Sequence, residues 1–113
     1  MSHSDAEVLL GQMLNATRQA QEFVEGLSRE DFLADKRTQQ AVTLNLIIVG
    51  EAASRLMDRH PELVVAQPEI EWRSIRGMRN RISHGYYDID MDVVWETVQK
   101  ALPELERDLE RLI

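Results

Sequence analysis

Residues 35–61 read DKRTQQAVTLNLIIVGEAASRLMDRHP, and the fold class turns on this stretch. Ala41, Leu44, Ile48, Ala52 and Leu56 recur at steps of three and four, the period of one helix face, over a span longer than ordinary strands reach. Asp35 stands in front, where its carboxylate can take up a free backbone N–H. At the far end Pro61 disfavours helical geometry in the residue before it, His60. The spacing predicts one long helix.

The same period extends in both directions. Upstream, Ser4 and Glu7 have the spacing of a capping box, and Leu9, Met13, Ala16, Ala20, Phe23 and Leu27 mark a helix from about Asp5 to Gly26. Ser28 and Asp31 then offer a start for a short turn through Phe32 and Leu33. Downstream, residues 62–71 hold Pro68 and the apolar run Leu63-Val64-Val65, a connector with room for one helical turn. Trp72, Ile75, Met78 and Ile82 predict a third principal helix closing at Gly85, where a left-handed residue is expected. Tyr86 to Ile89 read as a turn, and Asp90 can cap a last helix. That helix carries Val94, Val98, Ala101 or Leu102, Leu105, Leu109 and Leu112, with a kink expected at Pro103. No segment alternates as a strand does. The pattern is all-α, an antiparallel four- to five-helix bundle in one domain over residues 1–113.

Composition excludes several chemistries. With 43% hydrophobic and 29% charged residues the chain can build a core, and it holds no cysteine, so disulfides, thiolate zinc sites and thiol nucleophiles are ruled out. Met1 to Glu7 are polar and acidic where a secretory signal would be basic and then apolar, and no run approaches the ~20 apolar residues that cross a bilayer. A soluble, cytoplasmic protein with no membrane association is expected. The net charge of −7 argues against a broad grip on nucleic acid. The window from Trp72 to His84 is the exception, with Arg73, Arg76, Arg79 and Arg81 and no acid. An anion should bind there.

Histidine occurs only at positions 3, 60 and 84, and no spacing with the carboxylates resembles a metal site, so neither metal nor cofactor is expected. Ser83 merely adjoins His84, without the strained elbow of a serine nucleophile, and no Gly-rich phosphate loop is present. What remains is the end of the third helix. A histidine there is favoured in its charged form by the helix dipole whether or not it is catalytic, and arginines on a surface commonly just pair with acids. Arg79 differs, because it lies roughly 40° from Ile75, on the flank of the apolar stripe, and so needs a partner. Asn80 and His84 are one turn apart and face the same way. Arg79 and His84 stand roughly 140° apart on an ideal helix, so one rigid helix cannot easily aim both at one atom. Either the helix loosens near Ser83, or a two-fold dimer brings two copies together; the second is favoured.

The string Arg79-x4-His84-x-Tyr86, with Asn80 directly after the arginine, resembles the signature of the HepT-type toxins in the HEPN superfamily of helical ribonucleases. The likeness extends to Asp35, Gln39 to Val42, Gly50 to Ala52, Trp72 to Asn80, Asp88 to Asp90, Val94-Trp95 and Leu102-Pro103. It implies a HEPN-like, dimerising bundle and a metal-independent endoribonuclease toxin whose cleft is built from both copies of the motif. Carried over, Arg79 holds the scissile phosphate, His84 serves as general acid or base, and Asn80 orients the phosphate or His84. Arg73, Arg76, Arg81 and Ser83 are the expected RNA contacts. RNA supplies its own 2′-hydroxyl nucleophile, which DNA lacks. The likeness also implies a nucleotidyltransferase antitoxin of the MNT type, in a type VII-like system, that adenylylates Tyr86 and so places negative charge at the mouth of the cleft. On the residues alone, Tyr86 reads as a loop tyrosine that packs its ring on the bundle and exposes its hydroxyl, and only the resemblance reverses that preference. A non-catalytic module binding a nucleotide or partner through the same basic pocket is the alternative, and a purely structural dimer is a third.

Overall fold

Four helices begin where a side chain takes up a free backbone N–H. In the computed structural model, which describes residues 3–113, Ser4 accepts from the Glu7 N–H at the start of α1, Asp5–Phe23. Ser28 and Asp31 form a reciprocal capping box that opens α2, Arg29–Leu33. Asp35 accepts from Thr38 and starts α3, Lys36–Arg59. Pro61 begins α4, Pro61–Val65, at a position where no N–H is needed. After α5, Trp72–His84, a 3₁₀ turn over Tyr86–Asp88 leads to Asp90, whose carboxylate accepts from Asp92 and opens α6, Met91–Glu96. A π-helical turn, Thr97–Ala101, joins α6 to α7, Leu102–Leu112.

The fold is all-α, with no strand among the described residues. Polar contacts give the directions of the helices. Asp5 at the start of α1 meets Arg59 and His60 at the end of α3. Arg76 of α5 meets Ser54 and Asp58 of α3, whereas Arg79 meets Glu51, so the residue order reverses along the pair. Arg18 and Gln21 of α1 meet Glu110 and Glu106 of α7 in the same reversed sense. The neighbours run antiparallel, as expected of a bundle of four principal helical runs. One core, including Met13, Phe32, Val42, Leu56, Val98 and Leu109, lies between them. The buried Gln39 side chain donates to the Phe32 and Leu33 carbonyls and so ties the free end of α2 to α3.

Four local expectations change. First, α1 ends at Phe23, because the chain turns through Gly26 at φ 78°; Phe23 is left exposed and Val24 enters the core instead. Second, Gly85 is extended, at φ −157°, and not left-handed: its N–H still closes α5 on the Arg81 carbonyl, and the 3₁₀ turn follows at once. Third, the interruption expected at Pro103 takes the form of the π-helical turn just before it, with Pro103 in the first turn of α7. The fourth concerns α3. Ala52 and Leu56 are buried, but Leu44 is 57% and Ile48 38% exposed, and Val42, Leu46, Val49 and Ala53 fill the core. That second set also steps by three and four. Neighbouring helices, not periodicity, choose between two interleaved stripes. Among the described residues, no helix is long and apolar enough to cross a membrane.

Candidate active site

Trp72 and Ile82 bury one side of α5, with Ile75 and Met78 half-buried between them. The Trp72 indole N–H donates to the Gln67 carbonyl and fixes where α5 begins. The helix then crosses α3 at Gly50, and the crossing is tight. A Cβ placed on Gly50 would stand 2.2 Å from Arg79 Cβ, 2.8 Å from its Cγ and 3.3 Å from the Ile75 carbonyl oxygen. Glycine is required there for α5 to lie this close.

Arg79 runs over that glycine onto α3, with its side chain 21% exposed. Its Nη1 donates to Glu51 Oε1 at 2.7 Å and its Nη2 to Ser54 Oγ at 2.8 Å, while Nε is buried without a partner. The partner demanded by a guanidinium on an apolar flank is therefore Glu51, assisted by Ser54. Arg76 makes a parallel arrangement one turn earlier, from Nε to Ser54 and from Nη2 to Asp58, each at 3.3 Å. Two of the four arginines of the basic window are thus paired with α3 acids. Arg73 and Arg81 are exposed and enter no ion pair among the described residues. Unpaired positive charge for an anion comes from these two.

Asn80, Ser83 and His84 are exposed at the C-terminal end of α5. His84 lines a depression of about 480 Å³ together with Met78, Arg81, Gly85, Asp88 and Asp90. Arg79 is not part of it. Within one chain the structure places Arg81 beside His84 and leaves Arg79 on the α3 side, as the helix geometry anticipates. Tyr86 is half-buried and packs against the core, while Tyr87 is 100% exposed, its ring edge-on to that of Tyr86 with centroids 6.1 Å apart.

A groove of about 400 Å³ adjoins the depression through Met78, Arg81 and Val93. Its floor is apolar, but Glu69, Glu71, Glu104 and Asp108 line it too, and carboxylates repel phosphate. A phosphate chain is better accommodated on the opposite flank of α5, which carries Arg73 and Asn80. Among the described residues no three of His, Asp and Glu gather as a metal site would require.

The residues that composition and spacing did not single out for a role are Gly50, Glu51 and Ser54. One signal was available: Arg76 and Arg79 are three apart on α5, and Glu51, Ser54 and Asp58 follow the same period on α3.

The family model described as Ribonuclease HepT-like matches residues 13–112. A protein named "Probable ribonuclease HepT" from Thermococcus cleftensis is 37% identical over 111 residues, covering 98% of this chain and 96% of its own. A protein from Caldanaerobacter subterraneus subsp. tengcongensis, with RNase in its name, is 34% identical over 92 residues, covering 81% of this chain and 80% of its own. Another so named, from Methanocaldococcus jannaschii, is 26% identical over 113 residues, covering 100% of this chain and 91% of its own. No solved structure is significantly similar to the chain.

Proposed function

The chain belongs to the HepT-like ribonuclease family, and from this membership and the site geometry we propose that it is a metal-independent endoribonuclease, the toxin of a toxin–antitoxin pair. The observation that carries the proposal is the arrangement of α5. Its His84 is free at the helix end, and its Arg79 is fixed by two hydrogen bonds on a different side. Arg79 takes no part in the depression that His84 lines. A two-fold dimer that sets the motif face of one protomer against that of its partner gives a shared cleft, in which Arg79 of one serves with His84 of the other. Leu44 and Ile48, apolar and exposed on α3, supply surface for such a contact.

The reaction needs no group from outside the two chains. The 2′-hydroxyl oxygen attacks the adjacent phosphorus, the P–O2′ bond forms and the P–O5′ bond breaks, leaving a 2′,3′-cyclic phosphate and a 5′-hydroxyl. An imidazole can take the 2′-hydroxyl proton as base and return a proton to the departing O5′ as acid, and that is the role of His84. Charge rising on the phosphate oxygens meets the Arg79 guanidinium, held ready before substrate arrives. Asn80, on the His84 side, orients the phosphate or the imidazole, and Arg73, on the same flank, holds a flanking phosphate; Arg81, beside the acidic groove, and Ser83 are secondary contacts. Arg76, tied to Asp58, contributes less.

Control of the toxin belongs to Tyr86. A transferase antitoxin of the MNT type joins the Tyr86 oxygen to the α-phosphorus of ATP and releases pyrophosphate, and the negative phosphate and bulk of the adenylyl group compete with RNA for the cleft. Tyr87 has the more accessible ring, so the site of modification is a sharp test of the motif. Mass mapping after co-expression with the cognate transferase should place the added group on Tyr86 and lose it in Tyr86→Phe. A group on Tyr87 contradicts this. A second reading, a non-catalytic module that binds a nucleotide or partner, is favoured by one observation, the neutralisation of Arg79 by Glu51.

Cleavage of an RNA oligonucleotide in excess chelator decides between them. Wild type should cut, Arg79→Ala and His84→Ala should not, and a 2′-deoxy residue at the scissile position should be inert. Equal residual cutting by all three proteins defeats the enzyme reading.

A further inference from the structure

Arginine is a poor fixed electrode unless something holds it, because several torsions separate its charge from the backbone. On this chain the holding groups come from α3. Gly50 removes the side chain that would collide with Arg79, Ser54 takes Nη2, and Glu51 takes Nη1 at the shorter distance of 2.7 Å. The buried Nε has no acceptor, so nothing else in the seam fixes the guanidinium plane. Glu51 itself is 42% exposed, enough for water to screen its charge, and a purely electrostatic clamp would be weak there. Its value lies in direction.

We propose that Glu51 is a positioning residue for catalysis, fixing the plane of Arg79 so that its remaining N–H groups point to where phosphate charge grows. The inference rests on the assignment of Arg79 to the phosphate made above. A guanidinium fixed on folding loses no further freedom when RNA binds. One that must be gathered at each turnover does, and a misplacement of about 1 Å costs about a hundredfold in rate. Glu51 acts through hydrogen-bond geometry, so a glutamine, which keeps the acceptor oxygen and removes the charge, should serve nearly as well. An alanine should not. Were Glu51 instead a brake that withholds Arg79 from RNA, both substitutions would raise activity.

The test uses full-length protein and two readouts. In cleavage of an RNA oligonucleotide, Glu51→Ala should lower kcat about a hundredfold while KM moves little. Glu51→Gln should recover most of that loss. Nitrogen-15 spectra of the arginine side chains give the second readout, with Arg79 assigned by its absence from Arg79→Lys. Its Nη signals should be separate in wild type and Glu51→Gln, where rotation is hindered, and merged in Glu51→Ala. A kcat unchanged or raised in Glu51→Ala overturns the proposal, as do separate Nη signals in that variant or a glutamine as inactive as alanine. If Glu51→Ala does not fold, Ser54→Ala, which removes only the second acceptor, should show a smaller fall in kcat in the same direction, and no fall overturns it. Should wild type fail to cut RNA, the spectra still report whether Glu51 fixes Arg79, so the two failures are told apart.

Discussion

Helix α3 has two long seams, and they are built on opposite principles. Toward α1 it shares an apolar core in which Met13, Val42 and Leu56 are wholly buried, and among the described residues its ion pairing with α1 lies at the end, where Asp5 meets Arg59 and His60. Toward α5 it presents a glycine, a serine and two acids to two arginines. An apolar seam is non-directional and holds helices together by area removed from water. A polar seam contributes less net stability, since ion pairs near solvent are worth little, but it fixes atoms in place. The first seam carries the fold, and the second carries the proposed chemistry.

This contrast can be broken at several points. The largest effect is expected at the polar seam: Arg79→Ala should lower RNA cleavage by about 10³-fold, the scale of removing one donor that stabilises developing charge. Its melting temperature should change little, and a collapse of the fold would show that the seam is structural after all. Next comes Leu56→Ala at the apolar seam, expected to lose about 2–5 kcal/mol of stability through the cavity it leaves. Denaturant titration measures that loss, and cleavage per folded molecule should be retained.

Gly50→Ala sharpens the comparison, because it touches both kinds of effect. The new methyl meets Arg79 Cβ, which is anchored to the backbone and cannot swing away, so α3 and α5 must separate. A loss of about 1–3 kcal/mol is expected, together with impaired cleavage. Retention of full activity would contradict the account of the crossing.

The smallest effect belongs to the ion pair at the end of the apolar seam. The hydrogen bond from His60, and then the charge of Arg59, hold the Asp5 carboxyl below its ordinary range. A depressed carboxyl contributes stability above its unfolded value, about 4, and loses it as pH falls through the folded value. Asp5→Asn should therefore melt slightly below wild type near neutrality, with the gap closing in acid. A gap independent of pH would show that the pair acts by packing alone.

Sequence showed some of this plainly. The caps at Ser4, Ser28, Asp35 and Asp90 are legible because each joins residues two or three apart, and local spacing is what a sequence displays. That Arg79 needs a partner was also legible, from its place beside Ile75. The identity of the partner was not, since Glu51 and Ser54 lie 28 and 25 residues away and only the crossing at Gly50 brings them near. The face of α3 escaped for a related reason. Leu44 and Ile48 belong to one regular stripe and Val42, Leu46 and Val49 to another, and a helix flanked by two neighbours can bury either. Gly85 misled differently: it ends α5, but at φ −157° it is not left-handed, and a 3₁₀ turn follows it at once.

The central claim, that Arg79 and His84 act across a dimer, is tested by mixing two inactive proteins. Arg79→Ala and His84→Ala, unfolded together and refolded at equal amounts, form mixed dimers in which one of the two sites has both an intact arginine and an intact histidine. Activity of about a quarter of wild type should then appear, since about half the dimers are mixed and each has one working site of two. If the mixture is as inactive as its components while dimers form and exchange, the two residues do not meet across the interface, and the composite cleft is wrong.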